Sequence, residues 1–147
     1  TADAFTFNAP EGWRTGDESQ LPSINFEALA VDREHRNGFS DNVNVLQEPT
    51  LVRYDDLDDR VEAAKKGLAS LQPTNVKVES PVRIDGEDAA SLSADAQQGA
   101  VKYVIVQYYV VHAKKGYVVT FSYSPSRSTE KRREIAESVL ASWKWTS

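Results

Sequence analysis

The chain has 147 residues and a mass of 16.3 kDa, which is the length of one domain with an ordinary core. Apolar residues make up 40% and charged residues 27%, with 7 Gly and 6 Pro; these are globular values, unlike those of a disordered, collagenous or coiled-coil chain. A net charge of −5 argues against a chain built to neutralise phosphates, zero Cys removes disulfides and thiolate metal sites, and 2 His leave little for a histidine metal centre.

Phe5-Thr6-Phe7 alternates apolar and polar residues and predicts a short strand. Pro10-Glu11-Gly12-Trp13 reads as a turn, and Gly16 to Ser19 as loop. Ile24 to Glu34 is a second predicted strand. Arg36-Asn37-Gly38-Phe39-Ser40 is an exposed turn or loop, and Asn42-Val43-Asn44-Val45 a third strand. Asp55 to Leu71 is the clearest helix. Leu57, Val61, Ala64, Leu68 and Leu71 make one apolar stripe, and Pro73 stops it.

Asn75 to Asp85 predicts a strand that Pro81 confines to a sheet edge. Asp85-Gly86-Glu87 is a hairpin turn, and Ala89 to Gln97 a strand of small residues. Val101 to Ala113 and Tyr117 to Tyr123 form a long hairpin around Lys114-Lys115-Gly116. The first of these strands is apolar on both faces, so both faces need cover. Its interruption by Lys102, Gln107 and His112, and its length, exclude a membrane span. A last helix runs from about Thr129 to Trp143, with Ser128 as its N-cap. The expected fold is α+β, a mainly antiparallel sheet of six to seven strands between helices. It is one domain over residues 1–147, with residues 1–4 as the end of a tether. With no Met in the sequence, Thr1 reads as a processed or cloned start.

Candidate chemistry is sparse. Asp55, Asp56, Asp58 and Asp59 lack the spacing of a calcium loop and fit a helix N-terminus, where the dipole favours negative charge. His35 and His112 have no nucleophile elbow near them, so no catalytic residue, metal or cofactor is expected. Lys131-Arg132-Arg133, with Arg127 upstream, reads as a solvated basic face alongside Glu130 and Glu134. The aromatics remain. Tyr at a pocket wall offers an apolar body and a polar tip. This makes Tyr54, Tyr103, Tyr108 and Tyr109 the candidate ligand contacts, together with Phe39 on its polar loop.

Phe5 to Trp13 resembles the opening of the Mog1/PsbP-like superfamily, in which a short strand enters a Pro-x-Gly-Trp turn. Further agreement lies in Asn42-Val43-Asn44-Val45 ahead of an acidic helix, in the Gly86 turn, and in the Tyr/Val hairpin before a helix ending in Trp143-Lys144-Trp145. Within the superfamily the chain is similar to actinobacterial LpqN/LpqT-type lipoproteins. The resemblance implies an antiparallel sheet flanked by helices. It also implies an exported, non-enzymatic envelope protein held by an upstream lipidated Cys, with membrane contact only through that anchor. An acylated-trehalose-like glycolipid or acyl chain is the implied ligand, and an envelope protein or lipid-export machinery the implied partner. The alternative is a protein-interaction module without a small-molecule ligand. No nucleic acid is expected, and the chain is expected to be a monomer.

Overall fold

A computed structural model of the chain describes residues 4–16, 28–32, 39–54, 56–69 and 72–146. The elements are β1 (Phe5–Thr6), β2 (Trp13–Gly16), β3 (Ala28–Asp32), β4 (Asn42–Gln47), a 3-10 turn (Pro49–Arg53) and α1 (Leu57–Leu68). After these come β5 (Thr74–Ile84), β6 (Glu87–Gln98), β7 (Val101–His112), β8 (Lys115–Tyr123), α2 (Thr129–Ser142) and β9 (Lys144–Trp145). Seven strands form one sheet in the order β2-β3-β4-β8-β7-β6-β5. Every neighbouring pair in it is antiparallel. β1 and β9 pair separately, Phe5 opposite Trp145. The α+β architecture expected from the sequence is the one observed.

The doubly apolar β7 lies second from the centre and has a core on each side. Tyr108 and Val110 face α2, where they meet Val119, Phe121 and Tyr123 of β8 and Ile135, Ala136, Val139 and Leu140 of the helix. Ile105 and Tyr109 face the other way, onto Leu92 and Ala94 of β6 and Ala64 and Leu68 of α1. Each large apolar side chain so buried contributes roughly 1.5–3 kcal/mol. The alternation of single residues along β7 thus decides which helix each one touches. Trp143, at the end of α2, stacks on Phe5 with ring centroids 4.5 Å apart.

α2 begins at its predicted cap, and α1 begins two residues later than the Asp55 start read from the sequence. Asp56 caps α1 by accepting from Asp58 N at 2.8 Å, and Ser128 caps α2 by accepting from Lys131 N at 3.1 Å. Asp55 and Leu71 lie outside the described residues, as do most of the predicted strand 24–34, residues 17–19 of the predicted loop, and His35. β5 is an edge strand, as Pro81 required, with register shifts between Thr74 and Lys77 and between Glu79 and Val82. Asp85 and Gly86 both have positive φ (45° and 87°), the requirement of a two-residue hairpin turn.

Three features differ from the sequence reading. β2 and β9 are strands of 4 and 2 residues, too short to show alternation. The β7–β8 turn falls on Ala113 and Lys114, both at positive φ, so Lys115 and Gly116 belong to β8. Gly116 is needed for space. A Cβ there would stand 2.5 Å from Glu48 O and 2.6 Å from Leu51 Cβ, in the 3-10 segment laid against β8. Lastly, Arg127 is not on a solvated face. Its Nη2 donates to Asp32 Oδ2 at 2.8 Å and its Nε to Asp41, and its side chain is 9% exposed.

Candidate functional site

β6 carries two different faces. Leu92 and Ala94 enter the core beneath α1, whereas Ser91, Ser93 and Asp95 alternate with them on the α2 side. α2 runs over β7 and β8 and leaves this polar side of β6 open at Ser93 and Asp95, while Ser91 is buried. The result is a groove of about 850 Å³ between α2 and the sheet. Its apolar surface comes from Val82, Val104, Val106, Tyr108, Ala136 and Leu140, and its polar rim from side chains of β5, β6 and α2.

The ladder register fixes the floor in rows. Glu79 of β5 stands opposite Ser91 of β6, which stands opposite Tyr108 of β7. One row along, Lys77 is opposite Ser93, which is opposite Val106. Ser93 Oγ donates to Glu79 Oε2 at 2.8 Å across the rows. Tyr123 OH donates to the carbonyl of Arg132 at 3.0 Å, which ties the first turn of α2 to the head of the groove. Arg132 Nη2 donates to Pro125 O at 3.1 Å, and its Nε is buried without a hydrogen-bond partner.

Tyr108 is 7% exposed, and its hydroxyl makes no hydrogen bond among the described residues. Burial, aided by the carboxylates of Glu79 and Glu137, pushes its phenol up to about 12. It is therefore a neutral donor at any physiological pH. Burial raises Tyr109 and Tyr123 as well.

The five sequence-predicted residues do not share one site. Tyr108 lies in the groove. Phe39 and Tyr103 meet, stacked at 5.2 Å with planes 11° apart. Tyr103 lines a second cavity of about 430 Å³, which shares Asp95 and Val104 with the groove. Tyr109 is in the core beneath α1, where its hydroxyl donates to Gln107 Oε1. Tyr54 follows the 3-10 turn, half-buried, and its carbonyl accepts from Arg60 Nε at 2.9 Å. His112 is hydrogen-bonded, its Nδ1 2.7 Å from Glu87 Oε2, and its ring is stacked on Trp145. Among the described residues no group of three His, Asp or Glu side chains converges as a metal site, and no helix is long and apolar enough to cross a membrane.

Sequence reasoning missed Lys77, Glu79, Ser91, Ser93 and Glu137, and placed on solvent Arg132, which is half-buried; Arg133 is exposed, as read, and lines the groove from its rim. The available signal was the small polar series Ser91, Ser93, Asp95. A strand that shows small polar residues opposite a core face marks an uncovered floor.

No family profile and no curated protein match the chain. Solved structures do. LpqN of Mycobacterium tuberculosis, described as involved in cell envelope biogenesis, superposes with a TM-score of 0.66 at 14% identity, over 97% of this chain and 83% of that one. The cyanobacterial PsbP of Synechocystis gives 0.66 at 17% identity, over 99% and 88%. The Ran-binding protein Mog1p of Saccharomyces cerevisiae gives 0.59 at 13% identity, over 98% and 91%. The chain has a Mog1/PsbP-like fold. A Bacteroides thetaiotaomicron structure matches with a TM-score of 0.62 at 13% identity, over 99% of this chain, which spans only 46% of that longer protein. In this Mog1/PsbP-like domain the groove is the side of the sheet that α2 leaves open.

Proposed function

We propose that the chain is a non-enzymatic binding domain of the cell envelope, acting outside the cytoplasm, which holds a lipid-like amphipathic molecule. The observation that carries this reading is the groove beside α2, about 850 Å³, within the range of small-molecule sites. Val104, Val106, Ala136 and Leu140 offer an apolar track for an acyl chain, each buried CH₂ contributing about 0.8 kcal/mol. Tyr108, Ser91 and the charged rim meet the polar end. The fold shared with LpqN, itself described as involved in envelope biogenesis, supports the setting.

Native mass spectrometry of the chain before and after incubation with an envelope lipid extract tests this. A discrete mass gain corresponding to an amphiphile is expected, and it should be lost in Ser93→Phe, which fills the floor. An unchanged mass in both samples would overturn the reading.

A second reading is favoured by one observation, the uncovered edge strand β5, where Val76 and Val78 are 40% and 55% exposed. An open strand edge with apolar side chains accepts a partner strand. Mog1p, which shares the fold, is described as Ran-binding. On this reading the domain is a protein-interaction module, and Val78→Lys would abolish partner capture while sparing lipid uptake.

A further inference from the structure

The charges along the groove change sign in the same sense on both walls. On β5, Lys77 is followed two residues on by Glu79, about 7 Å along a strand. On α2, Arg132 and Arg133 are followed by Glu137, about 6–7.5 Å along a helix. All five side chains line the groove. β5 and α2 run in the same direction here. Arg132 sits over Tyr123, whose ladder partner is Val104, and Glu137 lies near enough to Tyr108 to act on its phenol. The cations Lys77, Arg132 and Arg133 therefore gather at the Val104–Val106 end. The carboxylates Glu79 and Glu137 gather at the Tyr108 end; the third groove carboxylate, Asp95, stands on the floor opposite Val104, where it accepts from Asn75 Nδ2 at 2.7 Å.

Like charges on opposite walls repel, and no ion pair among the described residues relieves Lys77, Arg133, Glu79 or Glu137. An occupant with the opposite sequence of charges would relieve both repulsions at once. Between the two carboxylates stands Tyr108, nine-tenths buried, with an unpartnered hydroxyl. Its ring face and the flanking carboxylates suit an ammonium group. The guanidinium groups suit a phosphate or carboxylate.

We propose that the groove selects a zwitterionic amphiphile, a single-chain lipid whose headgroup sets an anion against Lys77, Arg132 and Arg133 and an ammonium against Glu79, Glu137 and Tyr108. This rests on the reading of the groove as an amphiphile site and adds the headgroup class. A neutral headgroup satisfies neither cluster, and a purely anionic one leaves the carboxylate end facing its own charge.

The test is titration calorimetry on the full chain with three lipids of the same acyl length, each below its aggregation threshold. These are lysophosphatidylethanolamine, lysophosphatidylglycerol and monoacylglycerol. The zwitterion is expected to bind about tenfold or more tighter than the neutral lipid, the scale of one charge-assisted contact. The double variant Glu79→Gln with Glu137→Gln should remove most of the zwitterion's advantage over the anion. Lys77→Gln with Arg133→Gln should weaken zwitterion and anion together. All four positions are exposed, so these variants should fold, which circular dichroism checks. Equal affinity for all three lipids, or no response to the carboxylate variants, would overturn the headgroup assignment and leave the groove reading standing. Failure of all three lipids to bind would overturn both.

Discussion

Asp41 and Arg127, 86 residues apart in the chain, form a buried ion pair. Asp41 is 1% exposed and accepts from Arg127 Nε and, at 2.7 Å, from the backbone N of Ser124. The pair, with Asp32 as a third member, pins the β8–α2 connection to β3 and to the start of β4. It thereby sets the position of α2, one wall of the groove.

Removing one member of a buried pair strands the other. Arg127→Ala is expected to cost about 3–5 kcal/mol, measured as a drop in the urea midpoint without a change in slope. Arg127→Lys should recover only part, because one ammonium does not reproduce the guanidinium's two-sided contact with Asp32 and Asp41.

Two glycines should fail for different reasons. Gly116→Ala drives a Cβ into Glu48 O and Leu51 Cβ, and overpacking of this kind costs about 1–3 kcal/mol. Gly86→Ala meets nothing within 4 Å but must hold φ at 87°, a cost of about 1 kcal/mol. Gly86→Asn should be better tolerated, since Asn accepts positive φ; Gly116→Asn should be worse than Gly116→Ala. Thermal denaturation of the four variants separates the two causes.

The Tyr108 phenol sits at about 12 in the fold, pushed up by burial and then by Glu79 and Glu137, against about 10 in an unfolded chain. The folded value is the higher one, so the stabilisation is fully present below pH 10 and is lost as pH rises through 12. A spectrophotometric titration should show a delayed tyrosine class that ionises as the fold opens. Tyr108→Phe should lessen the loss of stability above pH 10.

Phe5→Ala should cost about 3–5 kcal/mol, although Phe5 belongs to a strand of only 2 residues. Its ring stacks on Trp143 at 4.5 Å and meets Tyr117 edge-on at 5.6 Å, so the chain's first strand is part of the α2 core. Equilibrium denaturation followed by tryptophan fluorescence would measure it.

Much of the fold was legible because its strongest signals are local. The apolar stripe of α1, the N-cap Ser128, the Asp85-Gly86 turn and Pro81 at an edge each carry their meaning within a few residues. The two-sided apolarity of β7 even foretold a core on each face. The site was not legible in the same way. Tyr108 and Tyr109 look alike in sequence, yet strand alternation sends one to the groove and the other beneath α1. Arg127 looked like its neighbours Arg132 and Arg133, and only the return of β3 and β4 to its side turned it into a buried pair. Lys77, Glu79 and Glu137 acquire a common role only when β5 and α2 lie on opposite sides of one groove.

The pairing of β1 with β9 has a mechanical consequence. Ala4 O accepts from Thr146 N at 2.9 Å, just beyond Phe5 and Trp145 in the same ladder. The chain thus enters and leaves at the same end of a two-stranded ribbon. Tension applied between these two points would peel the ribbon one hydrogen bond at a time instead of shearing it. β1 would then part from β9, taking Phe5 off Trp143, while β9 stays tied to the seven-stranded sheet through the bonds of Trp145 to Ile84 O and Asp85 Oδ2.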